Sequence, residues 1–237
     1  MGKIYTTKIL LALLISIFLF NGLQAQEIDL DEISAGDMRN NLRPVFSVLS
    51  CHHELPFAAA FFNSARRIVF SGNILNGYGI FGDDEKGMLM SSFWGGFVAS
   101  PNLSLFMQLS HGKYQQENIA TFGPVINFIW GEATRKNVIN VSINHLRGPD
   151  DFRAKDIALS LAREKELGSL RIFYGLESHY VNAVIDVKAT GIKKSINETL
   201  YHLRAGVYKS IMDFDLGIEM SVSQESLIGK LNITKII

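Results

Sequence analysis

The chain has 237 residues, with 23 basic side chains, 23 acidic side chains and a single cysteine, Cys51. The balanced charge gives no indication of nucleic-acid binding, and one cysteine excludes an intramolecular disulfide. Apolar residues make up 47% of the chain. Beyond residue 25, however, no stretch reaches the roughly 18 consecutive apolar residues of a transmembrane helix.

The first 25 residues have the features of a secretory signal peptide. Lys3 and Lys8 precede an apolar run from Ile9 to Phe20 that is too short to span a bilayer. The small Ala25 suits cleavage, and we expect residues 1–25 to be removed, with an uncleaved anchor as the alternative. Because only two lysines leave with it, 21 basic residues then face 23 acidic ones.

Residues 26–65 precede the part of the chain with regular periodicity. Residues 26–43 are acidic and polar, and we interpret them as a mobile lead-in. Residues 44–65 are apolar and rich in Ala and Phe, and their pattern leaves their structure open. We therefore predict a periplasmic lead-in or plug segment over residues 26–65, followed by a single domain over residues 66–237.

Cys51-His52-His53-Glu54 places four potential metal ligands in succession. In an extended chain, Cys51 and His53 would share one face, and His52 and Glu54 the other. Neither pair completes a tetrahedral zinc site. The sequence therefore predicts no metal site and no cofactor.

From residue 66 onward, ten β-type segments alternate with turn signals. Most exceed the roughly 5–6 residues of soluble strands and approach the roughly 9–11 needed to cross a bilayer. The predicted strands are Ile68–Ile80, Met88–Ala99, Leu103–Ser110, Ala120–Trp130, Val138–His145, Phe152–Arg163, Ser169–His179, Leu200–Ser210, Phe214–Ser223 and Leu227–Ile236.

The predicted strands alternate between an apolar and a polar face. In the ninth, Leu216 and Ile218 oppose Asp215 and Glu219, as expected when one face meets lipid and the other a barrel lumen. A soluble sandwich with one wet face would show the same alternation. We predict a lumen-facing charged cluster, which either fills a narrow lumen with salt bridges or lines a pore. Its members are Arg171, Glu177, His179, His202, Arg204, Asp215, Glu219 and Lys230, with Lys155 beside them.

One predicted strand has a helical alternative. Ile157, Leu161 and Lys165 have helical spacing over Asp156–Gly168, and the glycine could end a helix. We favour a strand, with Ile157, Leu159 and Leu161 on one face and Ala158, Ser160 and Ala162 on the other, since it makes the strand number even.

The predicted connections alternate between short and long. The short ones follow Ala99, Arg163 and Ser210, and the longer ones cover residues 82–87, 112–119, 148–151 and 181–197. Short and long connections at opposite ends are typical of outer-membrane barrels, and an even strand number leaves both ends of the barrel domain on the periplasmic side.

The tight turn at Met212-Asp213 also predicts a strand register. It pairs Ile211 with Phe214 and therefore Gly206 with Glu219. Arg204 then lies diagonal to Glu219, within reach of a long side chain.

Two motifs suggest chemistry that the sequence does not support. Gly77–Gly82 matches G-x-G-x-x-G, but acidic residues follow where a dinucleotide pyrophosphate would sit, so we expect these glycines to ease the curvature of a strand end.

Ser110-His111 and Asn144-His145 could belong to a hydrolase. Adjacent strand residues face opposite sides, so Ser110 and His111 cannot pair directly.

Ala59-Ala60-Phe61-Phe62-Asn63-Ser64-Ala65 before a long strand resembles the "aaFxNPA" segment of fatty-acid-transporter and PorV/PorQ-like outer-membrane barrels. Ser64 stands where that family has proline. The resemblance implies an outer-membrane location and carries over no catalytic residue.

Together, these features predict an all-β, antiparallel, up-and-down transmembrane β-barrel of about ten strands in the cell outer membrane. We expect a structural, scaffold or narrow transport role without enzymatic activity. Its expected partners are outer-membrane lipid and other envelope proteins, and no nucleic acid. The alternatives are an outer-membrane lipid-modifying hydrolase and a secreted soluble β-sandwich used for binding.

Overall fold

The computed structural model describes residues 38–51, 53–61, 68–79, 87–114, 117–132, 134–148, 152–187 and 192–237. The predicted signal peptide and its cleavage site lie outside these residues. The described elements are α1 (Met38–Cys51), α2 (Phe57–Ala60), β1 (Ile68–Gly79), β2 (Gly87–Ser100), β3 (Leu103–Tyr114), β4 (Glu117–Glu132), β5 (Arg135–Arg147), β6 (Arg153–Leu167), β7 (Leu170–Val187), β8 (Ile192–Ile211), β9 (Phe214–Val222) and β10 (Ser226–Ile236).

The ten strands close into a single antiparallel barrel. Each strand pairs with its neighbours in the chain, and β1 pairs with β10 to complete the ring. The Ile237 amide donates a hydrogen bond to the Ile68 carbonyl at 3.0 Å, so both ends of the barrel domain lie together. The predicted fold is confirmed, and the alternative of an open soluble sandwich is wrong.

The two ends of the barrel differ in their connections. The near end holds Ile68, Ile237 and two-residue connections such as 168–169 and 212–213. Gly168 has a φ of 64°, a left-handed conformation that glycine adopts without strain. The far end holds the β9–β10 turn at residues 223–225 and the longer connection 188–191. Short turns face the periplasm in outer-membrane barrels, which makes the near end periplasmic.

The exterior of the barrel is apolar. Along β6, exposed and buried residues alternate, with Ile157, Leu159 and Leu161 outside and Ala158 inside. The strand interpretation of this segment is confirmed, and its helical alternative is wrong. The other strands also expose apolar side chains on the outside of the barrel, and Leu203 of β8 is 65% exposed. A soluble protein does not expose so continuous an apolar surface, whereas lipid covers it, so the protein lies in an outer membrane.

Two predicted connections are wrong. Residues 181–197 are mostly strand, because β7 and β8 pair as far as Val187 and Ile192. On β7, Val181, Ala183 and Ile185 face inward and join the apolar cluster around α1, so this part of the hairpin has its own packing partner. Residues 112–119 also belong mainly to β3 and β4, which pair up to Tyr114 and Glu117.

Residues 38–51 and 53–61, here named the lumen segment, pass through the barrel interior. In the far half, Phe46, Val48 and Leu49 of α1 pack against buried apolar side chains of the wall. In the near half, Phe57 and Phe61 lie in a second apolar cluster that contains wall aromatic residues. Within the described residues, no helix is long and apolar enough to cross a membrane.

The structure shows the role of Gly77, the first residue of the G-x-G-x-x-G motif. The last three residues of the motif lie outside the described part of the chain. A Cβ atom at Gly77 would lie 2.8 Å from Val48 Cγ1 and 3.2 Å from Ile228 Cγ1. The absence of a side chain therefore lets β1 approach α1 closely. This glycine serves the packing of the lumen segment against the wall.

Candidate functional site: a polar layer between the lumen segment and the barrel wall

The lumen segment runs from the far end of the barrel to the near end. At the far end, Arg43 Nε lies 3.1 Å from Glu225 Oε1 in the β9–β10 turn. At the near end, Lys136 Nζ donates to the Phe61 carbonyl at 3.4 Å. Between these two contacts, residue 51 and residues 53–57 meet a layer of buried polar wall residues.

Glu54 is the centre of this polar layer and is fully buried. Its carboxylate accepts a hydrogen bond from Lys230 and forms an ion pair with Arg204, whose Nε lies 3.0 Å from Oε2. Lys230 also donates to the Cys51 carbonyl at 2.7 Å, at the C-terminus of α1, where the Glu54 N–H donates to the same oxygen at 3.4 Å. Two wall cations therefore hold the point where the lumen segment leaves its helix.

Arg204 joins the lumen segment to three wall strands. Its Nη1 donates to Glu177 at 2.8 Å, and its Nη2 donates to Glu219 at 3.0 Å and to the Leu55 carbonyl at 3.2 Å. The guanidinium also stacks over the Phe57 ring at 4.1 Å. Several donors fixed in one plane make arginine suited to such a junction.

The register predicted between β8 and β9 is confirmed. Gly206 pairs with Glu219, and Ile211 pairs with Phe214. Arg204 therefore lies diagonal to Glu219 and bonds to it. The other oxygen of Glu219 accepts the Phe57 N–H at 2.9 Å, so this carboxylate also binds the lumen segment.

Asp156 forms a second group in the same layer. His53 Nδ1 lies 2.6 Å from one of its carboxylate oxygens, and His179 Nδ1 lies 3.0 Å from the same oxygen. Asp156 is not among the predicted cluster residues, although the alternation of β6 places it on the inward face with Ala158. Lys155 is exposed and outside the cluster, contrary to expectation, because it shares the parity of the outward Ile157.

The structure divides the eight predicted cluster residues into two sets. Six lie in the polar layer around the lumen segment: Glu177, His179, His202, Arg204, Glu219 and Lys230. Arg171 and Asp215 form a separate pair near the periplasmic end, 2.7 Å apart. Arg171 is 23% exposed there and stacks over the Tyr208 ring at 4.0 Å.

His53 and Glu54, which the lumen segment contributes to the polar layer, do not belong to a periodic pattern of polar and apolar residues in the sequence. The sequence alone presents both residues only as potential metal ligands of an extended segment. That geometry is wrong, because α1 ends at Cys51 and a turn follows. Cys51 faces His202, at 3.1 Å from its Nδ1, whereas His53 faces Asp156.

The hydrolase residues suggested by the sequence do not meet. Ser110 faces inward and bonds to Thr121, while His111 is exposed on the outer face. His145 is also outside, with its ring stacked 5.5 Å from that of Phe122.

A different serine, Ser47 on α1, aligns with a histidine and a carboxylate. Its Oγ lies 3.1 Å from His202 Nε2, and His202 Nδ1 lies 3.2 Å from Glu54 Oε1. This order resembles the nucleophile, base and orienting acid of a hydrolase. Ser47 is nevertheless 0% exposed and also bonds to the hydroxyls of Ser223 and Ser226, so a substrate cannot reach it while the lumen segment is in place.

No protein-family model and no curated protein matches this sequence. Among solved structures, the translocator domain of autotransporter NalP from Neisseria meningitidis matches 85% of this chain and 99% of its own, with 10% identity and a TM-score of 0.58. This likeness supports the fold.

Two further neighbours are more distant. LpxR from Salmonella typhimurium covers 71% of this chain and 100% of its own, with 9% identity and a TM-score of 0.41. Ail of Yersinia pestis covers 73% of this chain and 99% of its own, with 10% identity and a TM-score of 0.34. The neighbours are outer-membrane barrels, and the resemblance to fatty-acid-transporter and PorV/PorQ-like proteins is not shown by them.

Proposed function

We propose that the protein is a structural barrel of the outer membrane, closed by its own lumen segment and without enzymatic activity. The observation that carries this proposal is the attachment of Glu54 in the lumen segment to Arg204 and Lys230 of the wall. Its partners are then outer-membrane lipid and, through the segment it holds, other envelope proteins.

Packing on both sides of the polar layer supports closure. Apolar side chains of α1 fill the far half, and the Phe57 ring lies 3.8 Å from that of Phe173 in the near half. Barrels of about eight strands have interiors that side chains can fill, and a ten-strand barrel is only slightly wider. A helix with its following turn is enough to occupy the remaining width.

The direction of the lumen segment supports a scaffold role. Arg43, near the start of α1, is 38% exposed and pairs with Glu225 at the far end. The C-terminal Ile237 lies at the near end. The barrel therefore holds α1 with its N-terminal side at the outer face, where an envelope partner can bind it.

Conductance across planar lipid bilayers tests closure directly. We expect the refolded wild-type protein to give no steady current and a variant without residues 38–61 to give stable channels. Glu54→Ala, which loosens the segment but keeps it, should give intermittent openings. Steady wild-type currents equal to those of the deletion variant would overturn the proposal and favour a transport pore.

A second candidate function follows from the Ser47–His202–Glu54 alignment. In this candidate the protein is a lipid hydrolase that becomes active when the lumen segment shifts and exposes Ser47. Phospholipid hydrolysis in mixed micelles would support it if Ser47→Ala abolished the turnover and Ser110→Ala, a buried serine outside the alignment, retained it. Absence of turnover both in the wild type and in Lys230→Ala, which removes a contact between the segment and the wall but keeps the three aligned residues, would leave the structural role alone.

A further inference from the structure

Two histidines in the polar layer share an arrangement found around metal ions. His53 and His179 are both buried, and each is held at Nδ1 by Asp156. The Nε2 atom of each ring makes no hydrogen bond to any described residue. Metal-binding histidines commonly use one ring nitrogen on a carboxylate, which orients the ring and leaves the other nitrogen for the metal.

The free nitrogen of His179 faces further ligand atoms. One ring nitrogen of His179, a Glu177 oxygen and a Glu54 oxygen all lie within 4.8 Å of one another. The separation of His179 Nε2 from Glu177 Oε1 is 3.6 Å, beyond a hydrogen bond. Two ligands of one tetrahedral ion, each about 2.1 Å from it, stand about 3.4 Å apart. A small movement would therefore place both atoms on one ion.

The cations of the layer leave one oxygen of each carboxylate available. Arg204 binds Glu177 through Oε2 and Glu54 through Oε2, and Lys230 also binds Glu54 through Oε2. Of the two Oε1 atoms, that of Glu177 lies nearest His179 and that of Glu54 lies nearest His202. Glu54 Oε1 has weaker neighbours, His202 at 3.2 Å and Ser221 at 3.3 Å.

The charge of the layer also favours a cation. Four buried carboxylates, those of Glu54, Asp156, Glu177 and Glu219, face the cations Arg204 and Lys230, while His53 and His179 add positive charge beside Asp156 only when they are protonated. Buried charges are costly unless they are compensated. With both histidines neutral, as coordination of a metal through His179 requires, one divalent ion supplies the two positive charges that balance this set.

We propose that the polar layer binds one divalent transition-metal ion through His179 Nε2, Glu177 and Glu54, with Asp156 as the residue that positions His179. A ligand set of imidazole and carboxylates suits Zn²⁺ better than Mg²⁺ or Ca²⁺, which take oxygen ligands. Because Glu54 belongs to the lumen segment and the other two ligands to β7, the ion ties the segment to the wall. This inference is independent of the proposed structural role.

Zinc content after refolding measures the site. The full-length protein, without a histidine tag, is refolded into detergent micelles with Zn²⁺ and dialysed against metal-free buffer, because the buried site is reached most readily during folding. Mass spectrometry of the metal content should give one zinc per chain. Zinc should also raise the unfolding temperature relative to the same protein refolded in EDTA, whereas Mg²⁺ should have no effect.

Three variants separate a metal site from adventitious zinc. His179→Gln should abolish the bound equivalent, and Asp156→Asn should weaken zinc affinity about 10–100-fold, as loss of a carboxylate behind a ligand does. His145→Gln is the matched control, because this histidine lies on the lipid-facing surface. Folding of every variant is checked by the shift in electrophoretic mobility on heating. Retention of less than a tenth of an equivalent by the wild type, or equal zinc in folded His179→Gln and His145→Gln, would overturn the proposal.

Discussion

Replacing Glu219 with alanine should destabilise the barrel more in the wild type than in an Arg204→Ala background. In the wild type, the change removes the acceptor of Arg204 Nη2 at 3.0 Å and of the Phe57 N–H at 2.9 Å. Breaking a buried ion pair by removing one partner costs about 3–5 kcal/mol. Since Arg204 keeps Glu54 and Glu177, we expect the lower part of that range.

In the Arg204→Ala background, Glu219 has already lost its cation. Its removal then leaves only the Phe57 N–H without an acceptor, at a cost of about 1–3 kcal/mol. It also relieves repulsion from the nearby Glu177. The expected coupling energy is therefore about 2 kcal/mol, inside the range measured for residues in contact. Glu219→Gln, which keeps an acceptor for Phe57, isolates the loss of charge.

Reversible urea unfolding in lipid vesicles, followed by tryptophan fluorescence, gives the four free energies of the cycle. Trp94 is fully buried beside the lumen segment and provides a signal for its release. The ion pair between Arg43 and Glu225 is the control, because Arg43 is 38% exposed. Its coupling should be below about 1 kcal/mol. An Arg204–Glu219 coupling no larger than this would refute the closed lumen.

Three shorter predictions concern the exterior, the packing and the processing of the chain. Ile218→Arg, which places charge on the lipid-facing surface, should cost about 2–4 kcal/mol in the same unfolding assay, and a change below half a kilocalorie would contradict the assigned face. Gly77→Val should cost about 1–3 kcal/mol through overpacking against Val48, and its cost should fall in a Val48→Ala background. Cleavage after Ala25 should give mature protein whose intact mass begins at Gln26, and a retained Met1 would exclude it.

Local patterns in the sequence are sufficient to predict the strands, their faces and one register. The period of two in side-chain polarity is a local property, so it identified all ten strands and placed Ile157 and Leu216 outside without knowledge of their neighbours. The two-residue turn at Met212-Asp213 fixed the pairing of β8 with β9 for the same reason. Lys155 has the same parity as the outward Ile157, so the same periodicity, applied at its own position, predicts an outward side chain.

Tertiary structure alone decided what fills the barrel. Glu54 meets His202 and Lys230, which lie 148 and 176 residues further along the chain, and no local pattern in residues 38–61 indicates whether lumen or water surrounds them. The extension of β7 and β8 past their predicted ends likewise depends on the apolar helix that packs against Val181 and Ile185. Closure brings distant segments onto one interior surface, and burial then makes the pairing of each charge a condition of stability.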